Sequence, residues 1–189
     1  MTVDQVFTPN QCREFIDFSH QFNYEVAPIT TNSKAGIFEL RTDIRNNQRV
    51  IYDDLQFAER IFQQVKQFLP EALFEWHVSG LNERFRFYLY EDGQTFKPHF
   101  DGNYAVNDWY SSQLTLLIYL SGNFEGGETK FFNQTHHVPT STIQPKTGQI
   151  LIFEPRQMHS GAPVFSGQKY VLRTDVMYKH AVFNRDNKS

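Results

Sequence analysis

The residues His99-Phe100-Asp101 put an imidazole and a carboxylate two positions apart. In an extended segment such residues point to the same side, so both can face one ion. A metal site needs a further donor, and His159, downstream of an apolar strand pattern at Gln149 to Phe153, is the candidate. Two histidines and one carboxylate form the facial triad of non-haem iron(II) oxygenases, which leaves coordination positions open for a cosubstrate and O₂. The ligand types also suit a catalytic zinc ion, whereas a closed structural zinc site would leave nothing open. Lys169 lies ten residues beyond His159. If its strand lines a barrel interior, it offers a cation at a distance from the metal, suited to the far carboxylate of a dicarboxylic acid. Arg173 shares that face by period-two counting, and serves either the same dicarboxylate or a structural pairing with Asp175.

These residues need a scaffold. Thr8-Pro9-Asn10-Gln11 carries a capping box and a proline at the first helical position, which predicts a helix with Phe15, Ile16 and Phe18 facing inward. A second helix is expected from Asp53 or Asp54, with Leu55, Ala58, Ile61, Phe62, Val65 and Leu69 on one stripe, ending before Pro70. After Gly80 the period changes to two. Phe85, Phe87 and Leu89 take one face of a strand, and Arg84, Arg86, Tyr88 and Tyr90 the other. Further strands are read at Leu114 to Leu120, Glu128 to Phe132, Gln149 to Phe153 and Tyr170 to Tyr178, separated by Gly, Pro and Asn turns. Such spacing implies a sandwich or barrel. The Arg41 to Arg49 stretch reads as a solvated loop or edge strand, with a role toward an acidic substrate as the less ordinary reading.

A chain of 189 residues fits one domain, divided here into helical support over about 1–80 and a catalytic β-core over about 81–180. Nineteen Phe, nine Tyr and two Trp are heavy aromatic loading, suited to pleated faces. A net charge of −3 and a pI near 6.1 argue against nucleic acid or anionic lipid as partners. No signal peptide or long apolar run is visible, and the single cysteine, Cys12, forms no internal disulfide. A soluble, cytoplasmic, reducing setting is the expectation.

Four motifs in order carry a family resemblance. Tyr90-Glu91-Asp92-Gly93-Gln94-Thr95-Phe96-Lys97-Pro98-His99-Phe100-Asp101 resembles the first metal motif of the prolyl 4-hydroxylase-like 2-oxoglutarate oxygenases. Gly126-Gly127-Glu128-Thr129 resembles their GGET turn, and Pro145 to Phe153 the strand before the distal histidine. His159-Ser160-Gly161-Ala162-Pro163-Val164 through Lys169 is similar to the distal histidine and cosubstrate lysine. The resemblance implies a mainly β double-stranded β-helix, or jelly roll, with flanking helices. It implies Fe(II) on His99, Asp101 and His159, with 2-oxoglutarate and O₂ as cosubstrates and ascorbate as an optional accessory. Lys169 would hold the C5 carboxylate, with Tyr90 and Thr129 hydrogen-bonding the same molecule. The implied reaction is oxidative decarboxylation of 2-oxoglutarate to succinate and CO₂, coupled to hydroxylation of a prolyl or other residue in a peptide or protein. A free amino acid or small metabolite is the alternative substrate, because one barrel hosts many. A non-catalytic metal-binding barrel or sensor is a further reading, against which Lys169 argues, since a mere metal binder needs no dicarboxylate anchor.

Other residues are read more plainly. Adjacent His136 and His137 point to opposite faces if extended and chelate poorly. His20, His77 and His180 are read as surface or satisfied structural residues, Tyr88 as a core aromatic, and Arg86 as an exposed strand charge, with a place in the barrel interior as a second anion partner the less ordinary reading. The Asn103 to Tyr110 loop is a candidate lid, with Trp109 or Tyr110 covering the site.

Overall fold

The structure, a computed structural model, describes residues 1–32, 37–133 and 138–184. His136 and His137 lie outside the described residues. After strand β1 (Thr2–Val3), helix α1 (Pro9–Ser19) begins with the expected capping box: the Thr8 hydroxyl accepts from the Gln11 backbone N–H, and the Gln11 side chain accepts from the Thr8 backbone N–H. Short strands β2 (Glu25–Val26), β3 (Ile29–Asn32) and β4 (Ile37–Glu39) follow, then β5 (Gln48–Asp53). Helix α2 (Leu55–Val65) starts at Asp54, whose carboxylate accepts from the Phe57 N–H at 2.7 Å. Phe57, Ala58, Ile61 and Val65 bury one face of α2, while Leu55, expected on that stripe, stands 73% exposed in the first turn.

The remaining strands are β6 (Ala72–Leu73), β7 (Trp76–Leu81), β8 (Arg84–Tyr90), β9 (Phe96–His99), β10 (Ala105–Asn107), β11 (Tyr110–Tyr119), β12 (Glu125–Gly126), β13 (Thr129–Phe132), β14 (Pro139–Ile143), β15 (Ile150–Phe153), β16 (His159–Gly161), β17 (Val164–Ser166) and β18 (Lys169–His180). A ten-stranded sheet runs β1-β15-β11-β18-β8-β5-β2, with β7 on the far part of β18. A smaller sheet runs β14-β13-β16-β9.

Strand alternation splits the apolar residues between two cores. Phe85, Phe87 and Leu89 of β8 join α1 and α2 in one cluster, whereas Tyr88 and Tyr90 face the opposite way and join Phe131 and Val164 in the other. This is a mainly β jelly roll, the double-stranded β-helix, with helices on the outer face of its larger sheet.

Three expectations are revised. The first 80 residues supply more than helical support, because β5 pairs along β8 from Gln48↔Leu89 to Asp53↔Arg84. The Arg41 to Arg49 stretch is not simply solvated: Arg45 is 5% exposed, and β5 begins within the stretch. The loop expected to cover the site is a hairpin of β10 and β11 at the other end of the sheet. Trp109 rests on His180 at 5.5 Å between ring centroids, the same ring Trp76 meets at 5.1 Å, and His180 also pairs with Glu75 at 3.2 Å. Tyr110 packs by Lys179, so neither aromatic lines the cavity.

Candidate active site

His99 ends β9 and His159 begins β16, and the two are cross-strand partners in the smaller sheet, with ring centroids 4.3 Å apart. Asp101 follows β9, tied back by its N–H to the Pro155 carbonyl. The three side chains offer donor atoms that all lie within 4.8 Å of one another. Each histidine donates its Nδ1–H to a backbone carbonyl two residues earlier, His99 to Lys97 at 2.8 Å and His159 to Gln157 at 2.9 Å. A neutral ring fixed this way keeps its Nε2 lone pair for a metal. Those Nε2 atoms sit 3.8 and 3.7 Å from the Asp101 carboxylate. Burial, followed by the neighbouring His159, holds the His99 pKa down to about 3, and burial also lowers that of His159.

Asp101 is pinned on both oxygens. Arg173 approaches Oδ1 at 3.1 Å, and the Thr115 hydroxyl donates to Oδ2 at 2.9 Å. Burial alone would raise the Asp101 pKa, but Arg173 and the two histidines outweigh it and hold the carboxylate ionised. Arg173 also pairs with Asp175 at 3.3 Å. The structural pairing considered for it is therefore present, and its link to Asp101 is an addition. Arg86, read as an exposed strand charge, has a side chain only 20% exposed and meets the same Asp175 at 3.5 Å.

Lys169 lies at another part of the same cavity, 2% exposed, with Nζ donating to the Gly127 carbonyl at 2.7 Å. It stands over the rings of Tyr90 and Tyr119 at 4.9 and 5.9 Å. Among the described residues no carboxylate pairs with it, and burial pulls its pKa down to about 7. The Thr129 hydroxyl shares a hydrogen bond with Tyr119 at 2.7 Å in the same wall. The turn before Thr129 needs its glycines. Gly126 and Gly127 take φ of +75° and +66°, and a Cβ on Gly127 would come within 2.7 Å of Phe124 and 3.2 Å of the Lys169 side chain.

The cavity thus joins a triad of metal-ligand type to a buried, unpaired ammonium. The sequence profile of the 2OG-Fe(II) oxygenase superfamily matches residues 85–174, which contain all of these residues. This similarity covers just under half of the chain and spans every residue that lines the cavity. Fe(II), 2-oxoglutarate and O₂ are the cofactor and cosubstrates that go with this family, and the donor set of two neutral imidazoles and an ionised carboxylate fits the ion.

Among curated relatives, the chain is 29% identical over 109 residues to a probable prolyl 4-hydroxylase 3 of Arabidopsis thaliana, covering 43% of this chain but only 37% of that protein. It is 23% identical to a putative prolyl 4-hydroxylase of Acanthamoeba polyphaga mimivirus, over 89% of this chain and 70% of that one. The fold matches the viral collagen prolyl hydroxylase of Paramecium bursaria Chlorella virus 1, solved with 2-oxoglutarate, at a TM-score of 0.66, 22% identity and 95% coverage of both chains. It also matches a Trichoplax adhaerens prolyl hydroxylase solved with a hypoxia inducible factor peptide, at a TM-score of 0.69, 13% identity and coverage of 100% and 86%.

The sequence reading named the triad, Lys169, Tyr90 and Thr129, and the structure brings all of them to one cavity. It did not single out Thr115 or Tyr119, although a lone Thr and a Tyr within the apolar run Leu114 to Leu120 are the signal that would have found them, since a buried polar group needs a partner. Phe96, stacked on His99 at 3.5 Å, was likewise unremarked.

Proposed function

We propose that this protein is an Fe(II)- and 2-oxoglutarate-dependent dioxygenase that hydroxylates a prolyl residue in a peptide or protein. The observation that carries the reading is the joining, in one cavity, of two Nε2 lone pairs and a pinned carboxylate with the buried Lys169 ammonium. His99, Asp101 and His159 would hold the iron, and Lys169 the C5 carboxylate of 2-oxoglutarate. Tyr90 and Thr129 would bound that end of the cosubstrate. Arg173, engaged by two carboxylates, would orient Asp101 and not touch 2-oxoglutarate. Bound iron would supply the activation of O₂ that couples 2-oxoglutarate oxidation to hydroxylation. The chain's own work is to fix the imidazole tautomers, keep Asp101 ionised, neutralise the dianion and exclude water with the Tyr90 and Tyr119 walls.

The prolyl substrate is supported by the names of the relatives and by the peptide bound to the Trichoplax enzyme. We further infer that the chain works as one domain, residues of about 1–80 bracing the β-core of about 81–180 with two helices and strand β5, in a reducing compartment such as the cytoplasm. The buried free thiol of Cys12 supports that setting, and no described helix is long and apolar enough to cross a membrane. The test is a screen of prolyl peptides and free amino acids for Fe(II)-dependent succinate release coupled to a hydroxylation mass shift. Turnover of small molecules alone would overturn the peptide substrate, and no 2-oxoglutarate decarboxylation under any condition would overturn the enzyme.

A further inference from the structure

The oxygenase reading leaves one group of side chains unused. The cavity-lining face of the larger sheet is laid out in cross-strand rows. One row runs Leu117, Arg173, Arg86, Ile51, and the next Tyr119, Val171, Tyr88, Arg49, Glu25. Cross-strand partners stand on the same face, so Arg86 and Arg49 continue the lining outward onto β8 and β5. Leu117 is 9% exposed at one end of its row and Ile51 42% at the other, so this side of the sheet opens to solvent. Behind Tyr88 lies Arg45, its guanidinium 4.7 Å from that ring's centroid and 4.3 Å from that of Phe96. Its Nε donates to Asn47 Oδ1 at 2.7 Å, while its buried Nη2 has no partner among the described residues.

Charge is unbalanced here. Four guanidiniums, those of Arg45, Arg49, Arg86 and Arg173, face three carboxylates, Asp101, Asp175 and, at the outer end of the row, Glu25, and Arg49 has no hydrogen bond or ion pair among the described residues, even with Glu25 as its cross-strand partner. Burial, together with Arg45 and Arg86, holds the Arg49 pKa below the ordinary arginine value, and only Tyr88 and Glu25 oppose that. Iron(II) and the 2-oxoglutarate dianion carry equal and opposite charge, so loading both would leave the surplus in place. A protein of net charge −3 has concentrated uncompensated guanidiniums beside its reaction site.

We propose that the molecule hydroxylated here carries a carboxylate, received by Arg49 and Arg86 beside Tyr88 at the open side of the cavity. This rests on the oxygenase reading above and narrows its substrate. A guanidinium fork matches a carboxylate in two parallel charge-assisted hydrogen bonds, which gives orientation as well as affinity. Orientation is what a hydroxylase must impose on the C–H bond it attacks. The carboxylate is either the terminal group of an amino acid or peptide, or the side chain of Asp or Glu in a longer chain.

The test uses the whole 189-residue chain loaded with Mn(II) and 2-oxoglutarate without O₂. Mn(II) broadens the proton NMR signals of ligands held near it, so occupancy is read without turnover. Two matched pairs are titrated: N-acetyl-L-proline against its amide, and a proline-containing peptide with Glu against the same peptide with Gln. The expected result is a binding preference of about tenfold or more for the anionic member of at least one pair. Arg49→Gln then weakens the acid by a similar factor and leaves the amide where it was. The preferred pair identifies the source of the carboxylate. Equal binding of acid and neutral partner in both pairs, with 2-oxoglutarate itself broadened, overturns this subsite alone. Failure of Mn(II) to broaden 2-oxoglutarate overturns the oxygenase reading, and this subsite falls with it.

Discussion

At the scale of single residues, Lys169 makes the sharpest test. Its depressed pKa of about 7 reflects burial without an anion, and a bound carboxylate would restore the ammonium. Binding 2-oxoglutarate should therefore take up a proton above neutrality, and its Kd should weaken about tenfold per pH unit from pH ~7 upward. Calorimetry in buffers of different ionisation enthalpy measures the uptake, and Lys169→Arg should flatten the pH dependence because a guanidinium stays charged. For the cosubstrate-free fold the sign is opposite to that of a salt-bridged lysine. The folded pKa lies below the unfolded 10.5, so this group's contribution to stability is present at high pH and is lost as pH falls toward about 7. Lys169→Ala should raise the 2-oxoglutarate KM roughly 10- to 100-fold, the loss of one charge-assisted contact. His99→Ala should abolish iron-dependent succinate release. Thr115→Val removes the donor to Asp101 Oδ2 and should weaken Mn(II) binding roughly 10- to 100-fold, read by titration.

At the scale of elements, the features legible in the sequence were those set by local spacing. The capping box at Thr8, the alternation along β8 and the two-residue step from His99 to Asp101 each need only a few neighbouring residues. What stayed hidden depends on distant chain. Arg45-Asn46-Asn47-Gln48-Arg49 is locally polar and reads as a solvated loop or edge strand without naming its partners, yet Arg45 bridges to Phe96 and Arg49 pairs with Tyr88. No periodicity within the segment announces those partners. Arg173 was ambiguous for the same reason, because Asp101 is brought to it only by closure of the barrel. The turn at Gly126 and Gly127 couples element and site. Gly127→Ala meets both an unfavourable φ and the Lys169 stem, and should lower melting temperature and 2-oxoglutarate affinity together, whereas Lys169→Ala should move mainly the second.

At the scale of the whole molecule, the larger sheet separates a helix-backed core from the aromatic lining of the cavity, and the two carry different duties. Ile61→Ala in α2 should destabilise the fold by about 2–5 kcal/mol, measured by urea denaturation, because it opens a void in the first core. The far end of β18 has an optical consequence. The chain holds two tryptophans, and Trp76 and Trp109 both rest on His180, eleven residues along the strand from Lys169. At the rise of a β-strand that is on the order of 35 Å. Intrinsic fluorescence will therefore report the melting of that corner of the sheet, while the arrival of a carboxylate at Lys169 passes unseen.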